Sequence, residues 1–143
     1  MGEVKKAKFS FEKYIIEDAT IHVSNKKMDK TINFNFEPKG LIDKDQKIFE
    51  LTLETSIKDK AESFLIEISA VATFKYVEDE NGDNPMPFLL HNAPAILFPY
   101  IRAYIANLSA LSGIQTILLP TINMSGLAKE LERNIKYKEK KPE

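Results

Sequence analysis

Hydrophobic and polar residues alternate along four stretches in the first half of the chain, and this pattern predicts four β-strands. In residues 31–37 the apolar side chains Ile32, Phe34 and Phe36 share one parity, and polar side chains hold the other. A period of two places one set of side chains on a buried face and the other set in water. The same alternation predicts strands over residues 9–23, 47–58 and 63–77.

The segments between these stretches indicate how the strands connect. The second strand is expected to end at Pro38 to Gly40, since Pro and Gly favour turns. Residues 59–62 form a short polar link, which predicts a hairpin between the third and fourth strands. Residues 78–87 are rich in Asp, Glu, Asn and Pro and are expected to form a loop.

The second half of the chain is dominated by an apolar helix, predicted to run from Asn92 to Gly113. Asn92 is expected to cap it, and Pro94 suits its first turn. Pro99 removes a helical hydrogen bond, so we expect either a kink there or a regular helix that begins near Phe98. The helix is apolar on more than one side, which requires two burial partners. We expect the sheet to be one partner and a second subunit the other, with an interface formed by Tyr100, Ile101, Tyr104, Ile105 and Leu108.

Residues 114–120 are predicted to form an extended crossover, followed by a final helix over 125–137 with Asn123 or Ser125 as its cap. Strands followed by helices are typical of an α+β fold. The predicted architecture is a four-stranded antiparallel sheet packed with two C-terminal helices. We expect one domain over residues 1–143, ordered from about 9 to 137, with mobile residues 1–8 and 138–143.

Composition narrows the possible functions. The net charge of −1 argues against a general electrostatic footprint for nucleic acid. The chain has no Cys and only two His, so we expect no disulfide framework, no metal site and no cofactor. The N-terminal segment has no apolar core typical of a signal peptide, and no apolar run is long enough to span a bilayer. The expected compartment is the cytoplasm.

Candidate catalytic groups are few, and each has a structural interpretation. His22 is predicted on a strand and His91 just before a helix, and no nucleophile is adjacent to either in sequence. Glu50, Glu54 and Glu67 could be read as a glycosidase-like carboxylate pair, but the sequence implies no substrate cleft, so a solvated sheet face is the favoured interpretation. The acidic loop lacks the ligand spacing of an EF-hand. We therefore expect a protein that is not an enzyme and has no catalytic residues.

Two motifs in the second half resemble the SecB family of export chaperones. Residues 92–102 read N-A-P-A-I-L-F-P-Y-I-R and resemble the first-helix motif of that family, N-x-x-x-x-LFPY-x-R. Residues 118–123 read L-L-P-T-I-N and resemble its L-x-P-x-N-F junction between crossover and helix. Residues 14–25 and 64–67 fit its first and fourth strands, so the resemblance extends over about residues 10–137.

The resemblance implies an ATP-independent holdase chaperone that assembles as a dimer of dimers. Such proteins bind non-native or precursor polypeptides in long apolar grooves, for preprotein export or for protection of a particular client. Transfer to the SecA motor uses acidic strand residues, and the matching positions here are Asp18, Leu65 and Glu67. The implied groove candidates are Phe9, Phe11, Phe34, Phe36, Leu118, Leu119, Ile122, Met124, Leu127 and Leu131.

The chain also departs from the family pattern. His22 stands where a second acidic residue is usual, and the C-terminal segment K-Y-K-E-K-K-P-E is basic and has no Cys for a zinc contact with SecA. One variant of the family protects an antitoxin. The alternative function is therefore an oligomeric interaction protein with one dedicated peptide partner, such as an antitoxin.

Overall fold

The computed structural model describes residues 8–78 and 84–139 of the chain. Its elements are β1 (Phe9–Val23), β2 (Ile32–Asp43), β3 (Ile48–Asp59), β4 (Phe64–Tyr76), α1 (Met86–Leu111), a 3₁₀ turn (Met124–Leu127), α2 (Ala128–Arg133) and β5 (Ile135–Tyr137). The predicted α+β architecture, with four strands followed by two helices, is confirmed. Predicted mobile residues 1–7 and 140–143 lie outside the described residues.

The sheet has the strand order β1-β4-β3-β2-β5. The first four strands pair antiparallel as predicted, and β3 and β4 form the expected hairpin. The fifth strand was not predicted, and it pairs parallel with β2 over Gly40–Ile42. The sheet is therefore mixed, with β1 at one edge and the short β5 at the other.

The core lies between one face of the sheet, here called the inner face, and helix α1. In β3 and β4 every second residue on this face is buried, as the alternation predicted. The inner face carries Phe49 and Phe74, which are fully buried together with Leu97 of α1. The opposite face, here called the outer face, is not covered by any helix in the described residues.

Two β-bulges explain why apolar residues of β1 occur on both parities. Glu12 and Glu17 are the extra residues, since the register with β4 shifts between Phe11 and Lys13 and again after Ile16. Each bulge moves the following side chains to the other face of the strand. Six apolar residues of β1 therefore face inward although they occur on both parities, whereas Ile15 faces outward. The six are Phe9, Phe11, Tyr14, Ile16, Ala19 and Ile21, opposite Tyr76, Phe74, Ala72, Ala70, Ile68 and Ile66.

Strand β2 does not end at Pro38 to Gly40, so that prediction is wrong. It continues to Asp43, and Pro38 pairs in register with Leu53 of β3. Pro38 lies on the parity of Gly40, whose N–H points away from β3 towards Asn134. The missing N–H of Pro38 therefore costs no hydrogen bond to β3, which is the usual way that an edge strand tolerates proline.

Helix α1 begins at Met86 and not at Asn92. The side chain of Asn84 accepts a hydrogen bond of 3.0 Å from the backbone N–H of Met86 and so caps the start. Pro94 and Pro99 both lie inside one continuous helix, so the suggestion that regular helix begins near Phe98 is wrong. Burial of the helix against the sheet compensates for the hydrogen bonds that the two prolines remove.

The predicted final helix over residues 125–137 is wrong in extent. Asn123 caps the 3₁₀ turn as expected, since its side chain accepts from the N–H of Ser125 at 3.1 Å. Helix α2 then ends at Arg133, and Ile135 begins β5. Ile and Tyr favour strands, and the free edge of β2 offers them backbone partners. Lys138, assigned to the mobile tail by sequence, donates its N–H to the carbonyl of Ile42.

Candidate functional site

The crossover from residue 112 to 123 is fixed to helix α1 by two hydrogen bonds. The N–H of Ile117 donates to the hydroxyl of Ser109 at 2.8 Å, and Nε of Arg102 donates to the carbonyl of Leu119 at 2.5 Å. Ile117 and Leu119 are buried, whereas Leu118 between them is 65% exposed. An extended segment that is anchored on alternate residues therefore presents Leu118 outward.

One apolar surface lies on the β2 side of α1, and we call it the β2 surface. The rings of Phe34 and Phe36 are 5.7 Å apart, and Phe36 meets Phe98 of α1 edge-on at 5.9 Å. Phe36 is buried, but Phe34 is 41% exposed. The 3₁₀ turn contacts α1, and α2 contacts β2, so the C-terminal segment lies on this same side. The exposed or half-buried members of the β2 surface are Phe34, Leu118, Ile122 and Leu127.

A second apolar surface lies on the β1 side of α1, and we call it the β1 surface. Tyr14 packs against Tyr100 with ring centroids 4.5 Å apart, and Phe11 stacks on Tyr100 at 5.6 Å. Phe9 contacts Phe88, which is 63% exposed. The sequence pattern missed Tyr14 and Phe88 as surface candidates. Tyr14 lies beyond the first bulge, and Phe88 lies in the first turn of α1, before the helix start that the sequence predicted at Asn92.

The ten groove candidates therefore separate into two groups. Phe9 and Phe11 lie on β1, and Phe34 and Phe36 lie on β2, with β4 and β3 between them. Three strand spacings amount to roughly 14 Å. Four of the ten side chains are core residues with almost no exposed surface, since they fill the space between sheet, helix α1 and the C-terminal segment: Phe36, Leu119, Met124 and Leu131.

The five interface candidates on α1 also divide by orientation. Ile101 and Ile105 are fully buried against the sheet of their own chain, so neither offers surface to a second subunit. Tyr100 is 40% exposed, and Tyr104 and Leu108 are half-buried. The helix is thus apolar on two sides, and the outward side consists of these three residues.

The outer face of the sheet brings together the three residues matched to the SecA contact. Thr20 of β1 pairs with Glu67, His22 pairs with Leu65, and Asp18 pairs with Ser69, so the three candidates occupy neighbouring rows of one face. Asp18 and Glu67 border a shallow depression of about 470 Å³, whereas Leu65 lies outside its lining. Its carboxylates come from all four antiparallel strands and are those of Asp18, Glu37, Glu54 and Glu67.

The other candidate chemical groups are scattered. His22 lies near the end of β1, and His91 lies in the first half of α1. In residues 8–78 and 84–139, no three His, Cys, Asp or Glu side chains are arranged to hold a metal ion. Most of the acidic loop considered for calcium, residues 79–83, lies outside that part of the chain.

Hydrogen bonds hold the pKa of the Asp59 carboxyl below its usual range. Burial raises its pKa, but hydrogen bonds outweigh that effect and lower the pKa from 3.8 to about 2. The hydroxyl and N–H of Ser63 donate to the carboxylate, as do the N–H groups of Asp29 and Phe64. The carboxylate joins the β1–β2 connection to the β3–β4 hairpin. Its role is structural, because it lies at the base of these loops and not on either apolar surface.

Comparison with known proteins relates this geometry to one family. A family model described as "Preprotein translocase subunit SecB" matches residues 5–134. The protein-export protein SecB of Anaplasma phagocytophilum is 32% identical over 93 residues, which cover 61% of this chain and 59% of that protein. The protein-export protein SecB of Azoarcus sp. is 25% identical over 137 residues, which cover 89% of each.

An uncharacterised protein of Methanocaldococcus jannaschii, MJ0357, is 37% identical over 75 residues, which cover 52% of this chain and 48% of that protein. In several of these pairs the chain thus spans only about half the length of its relative.

Among solved structures, the Mycobacterium tuberculosis SecB-like chaperone Rv1957, in complex with a ChAD peptide from the HigA1 antitoxin, matches with a TM-score of 0.68. The match has 18% identity and covers 80% of this chain and 88% of that chain, which shows a shared fold. No helix in the described residues is long and apolar enough to cross a membrane.

Proposed function

This chain belongs to the SecB family, and from that premise we propose that it is a holdase chaperone, which binds non-native polypeptides without ATP and catalyses no reaction. The observation that carries the proposal is the apolar side chains left exposed on both sides of α1. Phe34 and Leu118 are 41% and 65% exposed on the β2 surface, and Phe88 is 63% exposed on the β1 surface. Where exposed apolar side chains such as these form a contiguous patch, they mark a site of interaction with other polypeptides.

The energetics suit a client without defined structure. Burial of apolar surface is worth roughly 25 cal/mol per Å², whatever the sequence that supplies it. The β2 surface combines rings on a strand with aliphatic side chains on the crossover, so it requires no unique hydrogen-bond pattern from the client. Two surfaces about 14 Å apart, at three strand spacings, suit one extended chain that contacts both or two separate segments.

We propose that the protein assembles as a homotetramer, a dimer of dimers, through the outward side of α1. Tyr100, Tyr104 and Leu108 supply that side, and Tyr14 of β1 extends it through its contact with Tyr100. The inward residues Ile101 and Ile105 belong to the core and support the helix from below. The same outward residues cannot serve a client and a second subunit at once, so the assembly would leave the β2 surface as the main client site.

The destination of the client is the second part of the proposal. The acidic outer face, with Asp18, Leu65 and Glu67 in neighbouring rows, suits transfer to SecA in protein export in the cytoplasm. The alternative is a chaperone of one dedicated peptide. It is favoured by the lack of Cys for a zinc contact, and by the family fold being seen in a complex with an antitoxin peptide.

Capture of bound polypeptides from the native host separates these roles. Many unrelated unfolded proteins together with SecA would support an export holdase. A single recurring peptide, bound by the purified protein while unrelated unfolded chains are not, would support the dedicated role. If neither heated nor chemically unfolded proteins bind, and no peptide is captured, the chaperone proposal is wrong.

A further inference from the structure

Strand β5 occupies only part of the free edge of β2. Of the twelve residues of β2, the three from Gly40 to Ile42 pair with β5. Within the described residues, no strand pairs with the preceding segment 32–37 on that side. An unpaired row of backbone N–H and C=O groups accepts another extended chain readily.

The border between the covered and open parts is formed by Pro38 and Asn134. Pro38 has no N–H to offer, and its carbonyl accepts a hydrogen bond of 3.3 Å from the side chain of Asn134. The carbonyl of Asn134 then accepts from the N–H of Gly40 at 3.1 Å, which starts the pairing with β5. The open part thus continues directly into the part of the β2 edge that β5 covers. We call the row of backbone groups along this edge, residues 32–43, the lane.

The hold of β5 on this lane is small. Two of its three residues are exposed, namely Lys136 and Tyr137. Beyond the pairing itself, the backbone N–H of Lys138 donates to the carbonyl of Ile42, Lys138 Nζ lies 3.7 Å from Oδ2 of partly buried Asp43, and Lys44 Nζ lies 4.7 Å from the centre of the Tyr137 ring. Side-chain contacts made by exposed lysines contribute little, and salt weakens them further.

The contact between Ile135 and Gly40 indicates which kind of side chain fits the lane at this position. Gly40 leaves a notch in the inner face of β2, where an added Cβ would lie 3.2 Å from Cγ1 of Ile135 and 2.7 Å from the Phe49 ring. Ile135 therefore packs over the notch as an apolar plug. On the outer face, the open segment of β2 carries the polar or acidic residues Asn33, Asn35 and Glu37, and the part that β5 covers carries Lys39 and Leu41. A chain in this lane should carry apolar residues on one parity and basic or polar residues on the other.

We propose that β5 is an internal strap that shares the β2 edge with an extended segment of the client, and that its release lengthens the free part of the lane from residues 32–37 to 32–43. The proposal rests on the proposed holdase function and adds its regulation. An extended client with alternating apolar and basic residues pairs with β2 through its backbone and replaces Ile135 at the notch. The segment binds this part of the edge only while the strap is open. Its apparent affinity is therefore its affinity for the open form multiplied by the fraction of time that the strap is open.

An engineered disulfide gives a reversible test. Leu41 and Lys136 are register partners, and both side chains are exposed on the outer face. Neighbouring strands lie about 4.8 Å apart, which falls within the Cα separation of disulfides. Since the chain has no Cys, the double variant Leu41→Cys, Lys136→Cys forms one defined bond on oxidation with oxidised glutathione. The oxidised form holds the strap closed, and dithiothreitol frees it.

The probe is a fluorescein-labelled twelve-residue peptide of alternating Val and Lys, with a control of the same composition in Val-Val-Lys-Lys order. The oxidised variant should bind the alternating peptide roughly tenfold more weakly than the reduced variant, as expected if the free strap opens far more often than the bonded one. The control peptide should not distinguish the two forms. Equal affinity of the oxidised and reduced forms for the alternating peptide would overturn the strap.

Two pairs of variants distinguish release of the strap from unfolding of the protein. Lys136→Pro removes a backbone donor from β5, whereas Lys136→Ala keeps the donor and removes the same charge. Deletion of residues 135–143 removes the strap, and deletion of 140–143 leaves it in place. Tighter peptide binding by the first member of each pair alone would support the strap, and equal binding within both pairs would oppose it. Binding of reduced, carboxymethylated α-lactalbumin tests the holdase separately, because a failure by every variant to bind it overturns the proposed function itself.

Discussion

The hydroxyl of Ser109 accepts a hydrogen bond of 2.8 Å from the backbone N–H of Ile117, eight residues further along the chain. Ser109 is fully buried, and its hydroxyl also donates to the carbonyl of Ile105 at 2.8 Å. One side chain therefore both closes the last turns of α1 and sets the start of the crossover. This anchor fixes the parity of the crossover, which buries Leu119 and exposes Leu118.

Replacement of this anchor should destabilise the protein. Ser109→Ala leaves the N–H of buried Ile117 without a partner, and we expect the free energy of unfolding to fall by about 2 kcal/mol. Ser112→Ala is the matched control, since its exposed hydroxyl also donates to a helical carbonyl, that of Leu108. The control should change stability by less than about 0.5 kcal/mol. Urea unfolding measures both, and equal effects would mean that the crossover is not fixed by Ser109.

The carboxylate of Asp59 should make stability depend on pH in the acid range. Its pKa is about 2 in the folded protein and 3.8 in an unfolded chain, so the unfolded state binds protons more readily. The stabilisation is fully present above about pH 4 and is lost as pH falls towards 2. The difference in unfolding free energy between the wild type and Asp59→Asn should therefore be constant from pH 7 to 4 and shrink below that.

The control for this measurement is Asp45→Asn, because Asp45 is exposed. The stability difference between that variant and the wild type should stay near zero over the same range. A difference for Asp59→Asn that is flat from pH 7 to 2 would show that the hydrogen bonds from Ser63, Asp29 and Phe64 do not hold this carboxylate ionised.

Thr55 carries a buried hydroxyl without a hydrogen-bond partner in the described residues. It faces the core from β3, opposite Phe36 and Ile68. Thr55→Val keeps the shape and removes the unsatisfied polar group, so we expect the free energy of unfolding to rise by roughly 1 kcal/mol. Thr52→Val, on the outer face of the same strand, serves as the control. A loss of stability in Thr55→Val, measured by thermal unfolding, would reveal a partner for the hydroxyl.

The proposed assembly predicts a particle larger than the 16.3 kDa chain. Tyr100→Asp places a charge on the outward side of α1, next to Tyr14, and should shift the protein towards smaller species in sedimentation velocity. Leu118→Asp carries the same charge on the β2 surface and should leave the assembly intact. A wild-type protein that sediments only as a monomer would contradict the assembly, and dissociation by Leu118→Asp would place the crossover in the subunit contact.

The sequence was sufficient to predict the elements in which buried and exposed residues alternate without interruption. Strands β3 and β4 lie inside the sheet and alternate strictly, so their faces could be assigned residue by residue. The bulges of β1 and the passage of β2 through Pro38 depend on which edge each strand occupies, which local pattern does not record. The same holds for β5, which continues a helical stripe in sequence but pairs with an edge that only the folded sheet provides.

The proposed binding surface was harder to predict than the fold, because burial and exposure alternate within it. Leu118 and Leu119 are adjacent and chemically identical, yet one is 65% exposed and the other is 1% exposed. The difference arises from the hydrogen bonds of Ser109 and Arg102 to the crossover, which no spacing rule indicates. Apolar spacing therefore selected residues that lie beside α1 in the fold, while the assignment of each residue to core or surface required the structure.

The central claim is that exposed apolar side chains of the β2 surface hold unfolded polypeptides. Light scattering of heat-unfolded citrate synthase, without ATP, measures this directly for the wild type and for the double variant Phe34→Ser, Leu118→Asp. Ile15→Asp is the matched control, since Ile15 is 52% exposed but belongs to the outer face. We expect the wild type and the control to suppress aggregation and the double variant to lose most of that suppression while remaining folded by circular dichroism. Equal suppression by the double variant and the wild type would contradict the claim.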